Sequence, residues 1–226
     1  SGWIVAGSEL TARHEQVGNV LLSFAGPAGH DVKPMELLAL SHMVVPHFTR
    51  MLNNKTHKKV LVVSANDPLW HGGLSADKSL FIHATRPLIS ENGTSTLVHE
   101  LFHVLVGIRA AKGYDWITEG LAEYYAVNLI FRANGYSESR QQQIFDGLAK
   151  WGESVGVLTT SRSYGAITAK SAALFHKLDQ EIKNVSKGEK SLDDLVIRNV
   201  DNKDITLNKL IEDYKAAIGG SSAVLE

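Results

Sequence analysis

Residues 97 to 103 read Leu97-Val98-His99-Glu100-Leu101-Phe102-His103, with two imidazoles four positions apart and a carboxyl group next to the first. On an α-helix, positions i and i+4 differ by about 40° in azimuth and about 6 Å in rise, so both rings can turn toward one metal ion. Glu100 then points obliquely beside that ion, where a carboxylate can hold a metal-activated water and take its proton. Catalytic zinc takes three protein ligands, so a third donor must arrive from elsewhere in the chain. The 226 residues contain ten histidines and no cysteine, which removes thiolate sites, disulfides and cysteine nucleophiles. Two carboxylates stand within reach in Trp116-Ile117-Thr118-Glu119-Gly120-Leu121-Ala122-Glu123-Tyr124-Tyr125. Glu119 is assigned as the third ligand of one Zn2+ per chain. Glu123, a helical turn later on the same face, is assigned as the group that accepts the free N–H of His99 or His103 and fixes its tautomer. The bare pentapeptide arises by chance in roughly one such sequence in forty, so its setting has to carry the argument.

That setting is α+β. The first third alternates short apolar or β-branched runs with Gly, Pro, Asn and Asp, and the runs Trp3 to Leu10, Asn19 to Phe24, Lys59 to Ser64 and Ser79 to Ala84 read as about four strands of a mixed sheet. Between the second and third runs, Pro34 to Leu52 carries apolar residues at helical spacing, with Pro46 as a potential kink. From about Thr94 the period becomes helical and stays so to near Ile218. Gly107 and Gly113 suit the end of the motif helix and a chain reversal. Asp115 suits the cap of a helix from Trp116 to about Asn134, with Gly135 at its left-handed end. Further helices are expected from Ser137 or Ser139 to Trp151, from Ser163 to Lys183, and after Ser191 and Thr206. With no repeat or linker-like boundary, the expectation is one catalytic domain over 1–226, with a β-rich lobe over 1–90 and a helical lobe over 91–226.

The two segments His99 to His103 and Trp116 to Tyr125 resemble the gluzincin metallopeptidases, and more narrowly the glycyl aminopeptidase family, whose second helix begins W-x-x-E-G and continues through two tyrosines. The likeness extends over about 90 to 218. It implies a thermolysin-like zincin domain and a hydrolase in which a zinc-activated water, with Glu100 as general base, cleaves a peptide bond of a peptide or protein substrate. It also implies that the substrate lies along an edge strand, with Gly72, Gly73 and Leu74 in its binding stretch. Related aminopeptidases hold the substrate's amino terminus with a glutamate in that stretch, where this sequence offers Gly72-Gly73-Leu74-Ser75. They also carry a tyrosine that donates to the oxyanion at the place of Thr168, for which Tyr164, one helical turn earlier, is the candidate substitute. Two alternatives therefore stand beside the peptidase: a catalytically inactive peptide- or protein-binding module, and an aminopeptidase.

Lys plus Arg (23) nearly cancels Asp plus Glu (24), so the overall balance gives no reason to expect a nucleic-acid partner. No apolar run approaches the length of a membrane span. Lys55, His57, Lys58 and Lys59 read as a solvated basic turn, and His71 and His83 as surface or capping residues. Trp70, Tyr114 and Trp151 could line a groove, although aromatics at such positions more often pack a core. The lack of cysteine fits a periplasm or a cytosol, and a periplasmic or secreted location is slightly favoured over a cytoplasmic one.

Overall fold

The computed structural model describes residues 2–29, 32–54, 58–158 and 162–224. Lys55 and His57 of the basic turn lie outside them. The chain divides into two compact units, Ser1–Leu105 with Tyr125–Ser137, and Val106–Tyr124 with Glu138–Glu226.

The first unit is built on a mixed five-stranded sheet in the order β1-β2-β3-β5-β4, formed by β1 (Leu10–Val17), β2 (Val20–Pro27), β3 (Lys58–Ala65), β4 (Gly73–Ser75) and β5 (Ser79–His83). β2, β3 and β5 run parallel, and β1 and β4 pair antiparallel at the two edges. One face carries Val20, Leu22, Phe24, Val60, Val62, Leu80 and Ile82, all buried. α1 (Pro34–Met51) starts with Pro34 in its first turn, where the missing N–H costs nothing, and runs unbroken through Pro46. It buries Leu37, Leu38, Val44, Val45 and Phe48.

Two strand expectations need correction. Trp3 to Leu10 is not a strand; the first strand is Leu10–Val17. Gly7, Ser8 and Glu9 lead the chain into it through a bend, and Trp3 is held from outside the sheet, its N–H donating to Ser79 Oγ at 2.7 Å. β1 escaped notice because it is an edge strand exposed on both sides and so lacks the alternation of a half-buried strand. Its signal is the two-residue Gly18-Asn19 turn, with Gly18 at φ +57. β4 was missed as a separate strand because it is three residues long.

α2 (Thr96–Val106) and the C-terminal half of α3 (Asp115–Arg132) complete this unit. Leu97, Val98, Leu101, Phe102 and Leu105 turn one face of α2 into the core, and Phe102 stacks on Tyr125 of α3 at 5.1 Å. The Lys58 ammonium donates to the carbonyls of Val104 (3.0 Å) and Leu105 (2.8 Å), satisfying two acceptors that the end of a helix leaves orphaned. At the end of α3 the left-handed residue is Asn134 (φ 60), not Gly135 as expected. Gly135 is needed for closeness instead, because a Cβ there would lie 2.6 Å from Ile130 Cγ2.

The second unit contains the first turns of α3, then α4 (Glu138–Trp151), α5 (Ala166–Val185), α6 (Leu192–Arg198) and α7 (Leu207–Ile218). Ser191 caps α6 with a reciprocal capping box, and Thr206 caps α7 by accepting from Lys209 N–H. Asp179, 2% exposed, accepts from Tyr124 Oη (2.7 Å), Leu192 N–H (2.8 Å) and Lys183 Nζ (2.6 Å), so its buried charge is paired and hydrogen-bonded. α3 and α5 meet tightly at Gly120, where a Cβ would lie 1.9 Å from Ser171 Oγ, itself donating to Trp116 O at 2.6 Å. Among the described residues no helix is long and apolar enough to cross a membrane.

Two outcomes follow for stability. Gly120→Ala gains about 1 kcal/mol of helix propensity but collides with Ser171, and a net loss of about 1–3 kcal/mol is expected in urea denaturation; a stabilised variant would refute the packing argument. His176 stacks on Phe145 at 3.9 Å, with its Nδ1 buried and without a hydrogen-bond partner. Burial holds its pKa below the usual histidine value and Lys183 pushes the same way, against Asp179 and Asp146. The unfolded chain therefore binds this proton more readily, so the stabilisation is complete above about pH 6.5 and is lost as pH falls through the lower folded value. Denaturation midpoints measured from neutral pH downward should show that decline, and His176→Phe should flatten it.

Candidate metal centre

The buried face of α2 fixes the direction of the opposite one. With Leu97, Leu101 and Phe102 in the core, His99 and His103 come out half-buried on a common side, their rings 4.9 Å apart between centroids and inclined at 67°. Their Nε2 atoms are 3.1 Å apart. A tetrahedral zinc with Zn–N bonds of about 2.05 Å has an N···N edge of about 3.3 Å. The two imidazoles thus already stand near the separation that the ion requires.

Glu119 lies in the first turns of α3, where Asp115 opens the helix and Trp116 and Ile117 are buried. One ligand atom each from His99, His103 and Glu119 lies within 4.8 Å of the others, and all three residues are half-buried. Two neutral nitrogens and one carboxylate oxygen form a donor set suited to Zn2+, and the group fits the ion in type and in spacing. Glu123 is half-buried one turn further along α3.

Glu100 is 7% exposed and rests against the backbone of β4. A Cβ on Gly73 would lie 2.8 Å from Glu100 Oε1, 2.8 Å from its Cγ and 2.6 Å from Thr96 Cγ2. Only glycine leaves that space to the carboxylate. Gly72 meets a different neighbour, its missing Cβ being 3.0 Å from Trp70 Cζ2. The expected substrate-binding stretch Gly72, Gly73 and Leu74 is therefore largely the edge strand itself, with Leu74 exposed. Sequence reasoning missed the contact between Gly73 and Glu100, whose available signal was a glycine inside a strand pattern, a sign of close backbone approach. It also leaned toward a core role for Trp70 and Trp151, which are both about half exposed.

Tyr164 sits on the segment entering α5 and is 75% exposed, just before Gly165 at φ +58. Thr168 is buried, its hydroxyl 2.9 Å from Ser163 Oγ, and Ser163 N–H donates to Asp115 Oδ2 at 2.7 Å. His83 is buried rather than superficial, accepting at Nδ1 from Thr85 N–H at 3.3 Å, while the exposed His71 packs on its ring at 4.5 Å.

No family model matches the chain, and no curated protein sequence does either. Its fold is that of solved M1 zinc metallopeptidases. The enzyme from Deinococcus radiodurans superposes with a TM-score of 0.66 at 18% identity, over 93% of this chain and 49% of that one. A glutamate-to-alanine mutant of a Deinococcus radiodurans M1 zinc metallopeptidase, bound to a Tyr-Ser-Ala substrate, gives 0.65 at 18% identity over 94% and 49%. An aminopeptidase N family protein from Idiomarina loihiensis gives 0.62 at 13% identity over 96% and 43%. The chain spans about half the length of the solved structures it matches.

Elemental analysis after dialysis against zinc should find about one ion per chain in the native protein and none in His99→Ala or His103→Ala. Glu119→Ala should retain far less zinc than the native chain under chelator competition. Native affinity in that variant would dismiss Glu119 as the third ligand.

Proposed function

We propose that this chain is a zinc-dependent peptidase, on the strength of one observation: the ligand atoms of His99, His103 and Glu119 converge within 4.8 Å, and the buried Glu100 directly follows His99 in the chain. The likeness to M1 zinc metallopeptidases, one of them bound to a tripeptide substrate, supports the same reading. Bound zinc would supply Lewis acidity, lowering the pKa of a water and polarising the scissile carbonyl. His99, His103 and Glu119 would hold it in the thermolysin-like, gluzincin arrangement.

Glu100 is the general base. It takes the proton of the attacking water and later gives it to the leaving amine. Its burial on α2 against the glycine backbone of β4 restricts the carboxylate's rotation, so little reorganisation is needed when the proton moves. Glu123 accepts an N–H from one of the ligand imidazoles, and Tyr164 or a backbone N–H supports the oxyanion. The substrate is an extended peptide paired with the outer edge of β4 through main-chain hydrogen bonds, over Gly72, Gly73 and Leu74.

Glu100→Gln keeps the shape and the metal ligands but cannot accept a proton. It should retain zinc and lose about a thousandfold or more in turnover of a peptide library read by mass spectrometry. Undiminished cleavage would refute the general-base role. A native protein that holds zinc and binds peptides without cutting them would be the inactive module, and a strong preference for free over N-acetylated peptides would make it an aminopeptidase.

A further inference from the structure

We propose that Trp70 selects for a large, neutral apolar side chain in the extended peptide that pairs with β4; the idea rests on the peptidase reading only in taking the edge of β4 as the peptide's seat. The seat has free valences. β4 is an edge strand, and its pairs with β5 are Gly73↔Ile82, Leu74↔Phe81 and Ser75↔Leu80. Gly72 O accepts from His83 N–H, and Ala76 N–H donates to Ser79 O. Hydrogen-bonded pairs alternate along an antiparallel ladder, so Leu74 is bonded inward to Phe81 while the N–H and C=O of Gly73 and Ser75 point away from β5. No further strand pairs with that side among the described residues.

Side chains alternate across the strand. Gly73 faces Glu100 and Thr96 on one side. The opposite side holds Leu74, 41% exposed, and the Trp70 indole, whose Cζ2, Cε2 and Nε1 lie 3.0–3.1 Å from the place of a Cβ on Gly72. The indole lies on bare backbone, and any side chain at 72 would push it away. Its approach is fixed from behind, because Asp67 Oδ1 accepts from the N–H groups of both Leu69 (2.7 Å) and Trp70 (3.0 Å). Trp3 closes the strip, its Nε1–H donating to Leu74 O at 2.9 Å and its ring 5.2 Å from Phe81.

A peptide added to this edge presents every second side chain to Glu100 and the others to Trp70 and Leu74. Trp70 is 46% exposed yet held in place, so a bulky apolar residue can cover it at little cost in ordering. The Asp67 carboxylate beside the turn disfavours an acidic residue there.

The test is an alanine-rich peptide with one phenylalanine walked through every position, assayed for kcat/KM with the zinc-loaded protein and for Kd with Glu100→Gln. At one position, or at two alternate ones, phenylalanine should improve both over alanine by about tenfold. Trp70→Ala should reduce that ratio to within about twofold, Trp70→Phe should keep most of it, and Met35→Ala on the exposed side of α1 should leave it unchanged. A phenylalanine preference that survives Trp70→Ala, or no preference at any position, overturns the proposal. Should no peptide be cut at all, the peptidase reading fails, and the Kd ratios alone uphold or overturn the role of Trp70.

Discussion

Two neutral imidazoles brought together with their Nε2 atoms 3.1 Å apart would set lone pair against lone pair unless a proton or a cation lies between them. With the Glu119 carboxylate beside them, the three donors could hold a divalent cation. Most of the first unit can be understood as keeping α2 where that arrangement persists. The Lys58 ammonium holds its last carbonyls, Phe102 stacks on Tyr125, and Leu97, Val98 and Leu101 anchor its inner face. Sliding α2 by one residue would turn both rings by about 100° and scatter the donors.

Glycine takes the place of a side chain where two backbones must come close. At Gly73 the strand gives its Cβ volume to the Glu100 carboxylate, and at Gly120 a helix gives its volume to Ser171. Each concession costs local stability, about 1 kcal/mol for a glycine inside a helix. At Gly120 the gain is packing and a hydrogen bond to Trp116 O; at Gly73 it is an immobilised carboxylate. One makes room between two helices and the other between a strand and a helix, although the two glycines look alike in the sequence.

This similarity explains what could and could not be read from the chain. The spacing of His99 and His103 fixes a shared helical side whatever the fold, and Glu119 was one of two carboxylates offered as a third donor, so the convergence of these three side chains was legible. Ser191 and Thr206 were legible as caps because capping is a local hydrogen bond. β1 was not, since an edge strand exposed on both faces has no burial to imprint alternation. The left-handed residue after α3 was assigned to Gly135 on intrinsic preference, but Asn134 adopts that conformation at modest cost while Gly135 is spent on contact with Ile130. Trp70 was drawn toward the core by its composition, whereas Asp67 and Gly72 keep it at the surface.

Fold and donor set are independent sources of argument here. At 13–18% identity the likeness to M1 zinc metallopeptidases is carried by backbone geometry, and a backbone can be kept long after a site is lost. The His99, His103 and Glu119 group owes nothing to that superposition, because it follows from side-chain identity and distance in this chain alone. A scaffold that had abandoned its metal would be under no constraint to keep two imidazoles and a carboxylate together, half-buried and with some loss of solvation. Their convergence, and the glycine at 73 that leaves room for Thr96 and the Glu100 carboxylate, are therefore read from this chain's own side chains and stand apart from the likeness of the fold.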